Sequence, residues 1–274
     1  MVSINKSFSI SVVLPTWNRV ERLKKCLPTF LATKVQDVQF IIVDKRVEIY
    51  KNSQNVGGPN SFFRAYCTVN SPYALFLGDD DLMVGDYIER CLEIFQKHHD
   101  VSMIHHLFDG WQRTQKMHKN PYTVYSKGSQ AIDQIFMLSG SYSGLAIRME
   151  NFYLKNFPLG EEVIYPQVKI ALEIARKHNI AIINHCGMIT CDFGDTIINL
   201  KEVQNRPDSL GINERLSYLL TIKNPLLIQK QAMNLAAWCG SKFQMIEKID
   251  SKETKKFVKS LVFTLNNVTP YFII

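Results

Sequence analysis

Residues 73–86 read YALFLGDDDLMVGD. The run from Tyr73 to Leu77 is short, apolar and aromatic, which predicts a buried strand. It stops at Gly78 and three consecutive aspartates, Asp79, Asp80 and Asp81. Three like charges at a strand end repel one another, and a divalent cation would relieve them. Mg²⁺ or Mn²⁺ suits carboxylate oxygens and keeps positions open for phosphate. The bland alternative is an acidic turn leading into a helix that starts near Asp86, since Asp is favoured at helix starts.

Working outward, residues 10–14 (ISVVL) form a second strand signal that ends at Pro15, Thr16, Trp17, Asn18 and Arg19. A helix follows, with Val20, Leu23, Leu27 and Leu31 expected as its apolar stripe and Glu21, Arg22, Lys24 and Lys25 off it. Residues 40–43 (FIIV) form a third strand, ending in Asp44. Residues 55–60 (NVGGPN) read as a Gly-rich loop before a helix bearing Phe62, Phe63, Tyr66 and Val69. Pro59 suits a first helical turn. Strand–helix alternation predicts an α/β fold with a mostly parallel sheet. Ligands of such sheets bind beyond the carboxyl ends of the strands. Thr16, Asn18, Asp44 and the aspartates all fall there.

Taken in order, VVLPTWNR, IIVD, NVGGPNSFFRA and LFLGDDDLMVGDYIE resemble the family 2 glycosyltransferases, inverting enzymes with the GT-A fold. The resemblance covers about the first hundred residues. It implies that Pro15, Thr16 and Asn18 line a nucleotide pocket and that Asp44 bonds the base. It places Asn55, Gly57 and Arg64 beside the donor. Asp80 and Asp81 would then hold Mn²⁺ or Mg²⁺ on the diphosphate of a UDP- or dTDP-sugar, with Asp79 or Asp80 facing the nucleotide. The family usually has an acid where Gly78 stands, so Asp79 either takes the ribose-facing role or leaves it unfilled. The implied division is a GT-A domain over 1–212, with a nucleotide-sugar half (1–100) and an acceptor half (101–212). A basic helical region (213–274) follows.

An inverting transfer needs a group to deprotonate the acceptor hydroxyl. The family supplies an acid before a helix in mid-chain, and residues 158–167 (PLGEEVIYPQ) match that place. Glu162 is the expected base and Glu161 its alternative, against the reading of two surface glutamates near a helix start. Val168, Ala171, Leu172 and Ala175 form the apolar stripe of that helix. The YPQ element resembles a variant of bacterial surface-polysaccharide transferases. Asp192 and Asp195 are next in line as the base.

Other residues admit two readings each. His105 and His106 are acceptor contacts or structural groups at a strand end. His185 is a further metal ligand or a hydrogen-bonded core residue. Trp111 stacks on a sugar or packs. Arg206 lies in a loop that could close on the diphosphate. Only two residues, Lys45 and Arg46, separate Asp44 from the strand-like 47–50, too few for a parallel crossover. The unit is rearranged there, or a segment is missing; the second is the expectation.

The 274 residues carry a formal charge of +7, and 46% are hydrophobic, enough for one large α/β domain with an appendage. No apolar run spans a membrane and no secretory leader is evident. Six scattered cysteines without a CxxC pair fit a reducing, cytoplasmic setting. From Thr221 onward eight lysines face three acids, a difference of +5. Those lysines are read as peripheral contact with the inner face of the cell membrane or as an ordinary solvated face. Nucleic acid is not an expected partner, because no aromatic–basic RNA-binding signature is present. The expected acceptor is a saccharide or lipid-linked surface glycan. Competing classes are a nucleotide-sugar-binding protein with a degraded site and a nucleotidyltransferase. The absence of a Gly-rich, lysine-bearing phosphate loop counts against the latter.

Overall fold

The computed structural model describes residues 8–16, 19–43, 65–107, 120–152, 165–190 and 212–246. The chain separates into two compact units, one of Met1–Glu162 with Ile170–Cys191, the other of Val163–Lys169 with Asp192–Ile274.

The first unit is built on a seven-stranded sheet. Its strands are β1 (Ile10–Pro15), β2 (Val38–Val43), β3 (Tyr73–Phe76), β5 (Val101–His106), β6 (Tyr122–Tyr125), β7 (Ala146–Arg148) and β8 (Asn179–Ile183). They lie in the order β2-β1-β3-β7-β5-β8-β6. β2, β1, β3, β5 and β8 run one way, while β7 and β6 oppose them. The mostly parallel sheet expected from the alternation is present. β1 and β5 are buried from end to end except at Pro15, as strands covered on both faces must be. A separate pair, β4 (Asp81–Met83) and β9 (Met188–Thr190), runs antiparallel.

Helix α1 (Val20–Leu31) carries the chain from β1 to the neighbouring parallel β2. Its buried face differs from the expected stripe. Cys26 and Phe30 are fully buried, while Val20 and Leu31 are half exposed. Arg22, Cys26 and Phe30 share a face at four-residue spacing, with Arg22 at its edge paired to Asp80 at 3.4 Å. Helix α2 (Tyr87–Lys97) buries Tyr87, Ile88, Cys91, Leu92, Ile94 and Phe95. Its end is tied down by Arg148 at the end of β7, which donates to the carbonyls of Phe95 (3.0 Å) and Val101 (3.1 Å). The same guanidinium lies 5.1 Å from the Tyr73 ring centre. Helix α3 (Ser129–Leu138) leads into a loop, residues 139–145, before β7. Helix α4 (Pro166–Lys177) buries Val168, Ala171, Leu172 and Ala175, as its apolar spacing predicted.

In the second unit, α5 (Ile212–Leu220) and α6 (Pro225–Ile246) pack on each other. Glu214 on α5 accepts the Tyr165 N–H at 3.1 Å, and Arg215 covers the Tyr165 ring at 4.3 Å. The Tyr165 of the YPQ element is thus held by α5. Among the described residues, no helix is long and apolar enough to cross a membrane. Of the C-terminal lysines, Lys223 and Lys230 have described side chains, and both are exposed.

Candidate active site

β1 pairs with β2 on one side and with β3 on the other, all parallel. The strand order therefore reverses between β1 and β3, which opens a crevice beyond their carboxyl ends. The Leu77 N–H donates to Val13 O at 3.0 Å, so the two strand ends leave the sheet together. Thr16 and the aspartate tract emerge side by side.

Asp79 is 4% exposed. The Thr16 hydroxyl donates to its Oδ2 at 2.6 Å and Arg19 Nη1 to its Oδ1 at 2.8 Å. Cys26 Sγ, from the buried face of α1, reaches the Asp79 carbonyl at 3.4 Å. Both carboxylate oxygens of Asp79 are thus engaged within the protein. Asp80 is more open: its side chain is 30% exposed, with Arg22 Nη1 at 3.4 Å and Arg19 Nη1 at 3.9 Å from its Oδ2. Burial, followed by the charge of Asp79, holds the Asp80 carboxyl above its ordinary pKa, while Arg19 and Arg22 pull it back. Burial also works against the charge of Arg19. Asp79 and Asp80 outweigh it and hold that guanidinium above its usual value.

Asp81 is buried in β4, where it pairs with Thr190 of β9. The tract is therefore not a cap of the following helix. α2 begins six residues after Asp81, and Asp86 at its start makes no capping hydrogen bond, its carboxylate taking Arg90 at 2.6 Å instead.

Gly78 stands where three oxygens leave no room for a side chain. A β-carbon there would stand 2.9 Å from Asp80 Oδ1, from Asp81 Oδ2 and from Ser143 Oγ alike. The Gly78 N–H donates to Ser143 Oγ at 2.7 Å. An acid at this position would displace the carboxylates that follow it. Two carboxylate oxygens and a hydroxyl converge on the notch left by the missing side chain.

That donor set fits Mg²⁺ or Mn²⁺, which take hard oxygen ligands and are commonly held by one or two carboxylates plus substrate phosphates. Among the described residues, no three His, Cys, Asp or Glu side chains cluster to hold a metal on their own. Two carboxylates leave most of the oxygen shell of such a cation to be completed by other ligands. His185 joins no such cluster. It is half-buried, and burial, then Arg90, pushes its pKa down.

The loop carrying Ser143 is pinned from behind. His105 and His106 are fully buried, and their ring nitrogens are turned to backbone groups. The His105 ring takes the His106 N–H on Nδ1 at 2.8 Å, which leaves Nε2 to donate to Ser141 O at 3.2 Å. Burial, with His106 next, pushes the His105 pKa down to about 3. His106 Nε2 lies 3.2 Å from Ser143 O. Tyr87 donates to Gly144 O at 2.5 Å, and Gly144 at φ +86 leaves no room for a β-carbon against His106. Tyr142, 38% exposed, stands edge-on to Phe76 with ring centres 4.9 Å apart.

Asn18, Asp44, Asn55, Gly57, Arg64, Trp111, Glu161, Glu162, Asp192, Asp195 and Arg206 lie outside the described residues, as does the short Lys45–Arg46 connection. Pro15, at the end of β1, is half-buried beside Thr16. The sequence reading missed Arg19, Arg22 and Ser143. The spacing of Arg19 and Arg22, directly after a strand and on the first turn of a helix, was the available signal for two of them.

No protein-family profile matches the chain, and no curated protein matches it in sequence. Solved structures do match in three dimensions. S. aureus TarS 1-349 superposes with a TM-score of 0.64 at 12% identity, covering 96% of this chain and 81% of that one. The same protein in complex with UDP-GlcNAc gives 0.63 at 12% identity, covering 95% and 81%. The mannosyltransferase PcManGT from Pyrobaculum calidifontis, in complex with GDP-Man and Mn²⁺, gives 0.51 at 11%, covering 98% and 88%. The chain has the GT-A glycosyltransferase fold. At such identities the likeness speaks for that fold, and the GT-A sheet is the frame on which the aspartate tract is carried.

Proposed function

We propose that the protein is a metal-dependent, inverting glycosyltransferase of the family 2 kind, moving one sugar from a nucleotide-diphosphate donor to a saccharide acceptor. The observation that carries the reading is the meeting of Thr16 with Asp79 at the β1/β3 crevice, where oxygens of Asp80 and Asp81 converge beside Gly78. The fold's occurrence in proteins solved with UDP, UDP-GlcNAc or GDP-Man and Mn²⁺ supports the same class of donor.

In this reading Asp80 and Asp81 would hold Mn²⁺ or Mg²⁺, which would supply charge neutralisation for the leaving diphosphate. Thr16 and Arg19 keep Asp79 turned inward, which fixes the backbone that presents the other two carboxylates. Pro15, Thr16, Asn18, Asp44, Asn55, Gly57 and Arg64 are the proposed nucleotide contacts. Glu162, or Glu161, takes the proton from the acceptor hydroxyl as it attacks the anomeric carbon. Residues 1–212 form the catalytic domain and 213–274 a basic helical region. The acceptor is a surface glycan, lipid-linked or growing, at the cytoplasmic face of a bacterial membrane, where the C-terminal lysines meet anionic lipid.

The test is a panel of UDP-, dTDP- and GDP-sugars with Mn²⁺, reading both donor hydrolysis and thermal stability. At least one donor should be hydrolysed slowly and raise the melting temperature. If none does either, the enzyme reading fails.

A further inference from the structure

We propose that Tyr142 is a specificity-determining residue, an aromatic face placed beside the aspartate tract to pack on the sugar of the donor. The proposal rests on the glycosyltransferase reading and adds to it the group that meets the sugar ring.

Of the described residues 139–145, Tyr142 alone is exposed. Its neighbour Ser143 is buried and accepts the Gly78 N–H on Oγ at 2.7 Å. Tyr142 is therefore one residue away from the point where Asp80 Oδ1 and Asp81 Oδ2 converge. Its ring stands edge-on to Phe76, the last residue of β3, with centres 4.9 Å apart. Phe76 is itself backed by the buried Tyr66 ring, stacked at 5.9 Å. The core thus supports Tyr142 from one side and leaves the rest of the ring to solvent. Tyr142 also lies on the Arg19 side of the crevice. Burial works against the charge of Arg19, while Asp79, Asp80 and then Tyr142 work for it.

The backbone beneath this ring is clamped. His105 Nε2 donates to Ser141 O at 3.2 Å, and the Leu145 N–H closes on Tyr142 O at 3.0 Å. His106 Nε2 stands 3.2 Å from Ser143 O, and Tyr87 donates to Gly144 O. The carbonyls of residues 141 to 144 are all engaged. The Gly144 N–H adds a bond to Phe76 O at 2.8 Å. Three buried side chains therefore fix a turn that presents one exposed aromatic group. A ring held this way loses little further freedom when a ligand meets it.

A sugar offers an apolar C–H face and hydroxyl edges. Tyrosine answers both, with an apolar ring and a polar tip. In the donor the sugar is bonded directly to the diphosphate, which the proposed function sets against Asp80 and Asp81. The next group outward from that point is the one Tyr142 is placed to meet. A nucleotide without a sugar ends at its second phosphate and leaves the ring untouched.

The experiment is calorimetric titration, at fixed Mn²⁺, of UDP, GDP, UDP-GlcNAc and GDP-Man into wild type, Tyr142→Phe, Tyr142→Leu and Tyr142→Ala. Tyr142→Leu should bind the free nucleotide diphosphate as wild type does. It should bind the sugar nucleotide about tenfold more weakly, the scale of losing one aromatic contact. Tyr142→Phe keeps the face and should stay close to wild type. Tyr142→Ala carries the same expectation as Tyr142→Leu if thermal unfolding shows the latter to be misfolded. Wild-type affinity for the sugar nucleotide in the Leu and Ala variants would overturn the proposal. So would an equal loss of nucleotide and sugar nucleotide, which is the mark of a ring that only packs. In both cases the glycosyltransferase reading stands. If wild type binds no nucleotide, with or without a sugar, both fall together.

Discussion

Gly78→Ala adds one methyl group at the point where three oxygens converge. Its β-carbon would meet Asp80 Oδ1, Asp81 Oδ2 and Ser143 Oγ at 2.9 Å each, roughly 0.5 Å inside ordinary packing distance. All three atoms are ends of side chains, so the backbone need not move. Asp80 can swing toward solvent, but Asp81 and Ser143 are buried and have little room. Overpacking of this kind costs ~1–3 kcal/mol, and the rotatable neighbours favour the low end. A loss of about 1 kcal/mol lowers the melting temperature by roughly 2–4 °C in a chain of this size. Metal coordination is less forgiving, since Mg²⁺-type shells demand oxygens within tight limits of about 2.1 Å. The same methyl should therefore weaken Mn²⁺-dependent UDP binding by about tenfold or more. Calorimetric titration with UDP at fixed Mn²⁺, beside thermal melts without metal, reads both effects. Unchanged melting together with wild-type UDP binding would refute the packing argument. A lowered melt with intact binding would refute the assignment of Asp80 and Asp81 to the metal.

Asp80→Asn and Asp81→Asn should each abolish most Mn²⁺-dependent nucleotide binding, and wild-type turnover in the double variant would remove the tract from catalysis. Because the Asp80 carboxyl sits above its ordinary pKa in the fold, its contribution to stability is greatest in acid and is lost as pH rises through that raised value; metal-free Asp80→Asn should melt no lower than wild type at neutral pH. His105 works the other way: its pKa falls to about 3 in the fold, so the unfolded chain gains a proton below about pH 6.5 that the folded chain refuses. Stability should drop by about 2 kcal/mol between pH 6.5 and 5 from this group alone, and urea midpoints for His105→Asn should show a flatter pH dependence than wild type. Glu162→Gln should slow turnover about a hundredfold with donor binding little changed; if only Glu161→Gln does so, the base is one residue earlier.

Strands were legible wherever a short apolar run ended in turn residues, as at residues 10–14, 40–43 and 73–77. Each reappears as a parallel member of the sheet, shifted by a residue or two. The β4–β9 pair was not legible. Three residues carry no periodicity, and Asp81–Met83 finds its partner more than a hundred positions later. The inward face of α1 was misread because Val20 and Leu31 look apolar. The buried face instead runs through Cys26 and Phe30, with Arg22 beside it paired to Asp80. At the site the aspartates were readable from local crowding, whereas Ser143 was not. Its role exists only because β7 brings residues 139–145 back beside β3.

The position of β7 has a further consequence, for synthesis. β7 lies between β3 and β5 and runs against both, yet it ends at Arg148. While a ribosome is still making the first 145 residues, β3 and β5 each have an edge with no neighbour, an invitation to pair with the wrong strand. β3 and β5 are joined only when a segment some seventy residues downstream of β3 threads into the gap, and such non-local pairing is slow. Chains stopped before residue 148 should emerge as aggregation-prone halves rather than as small working nucleotide binders.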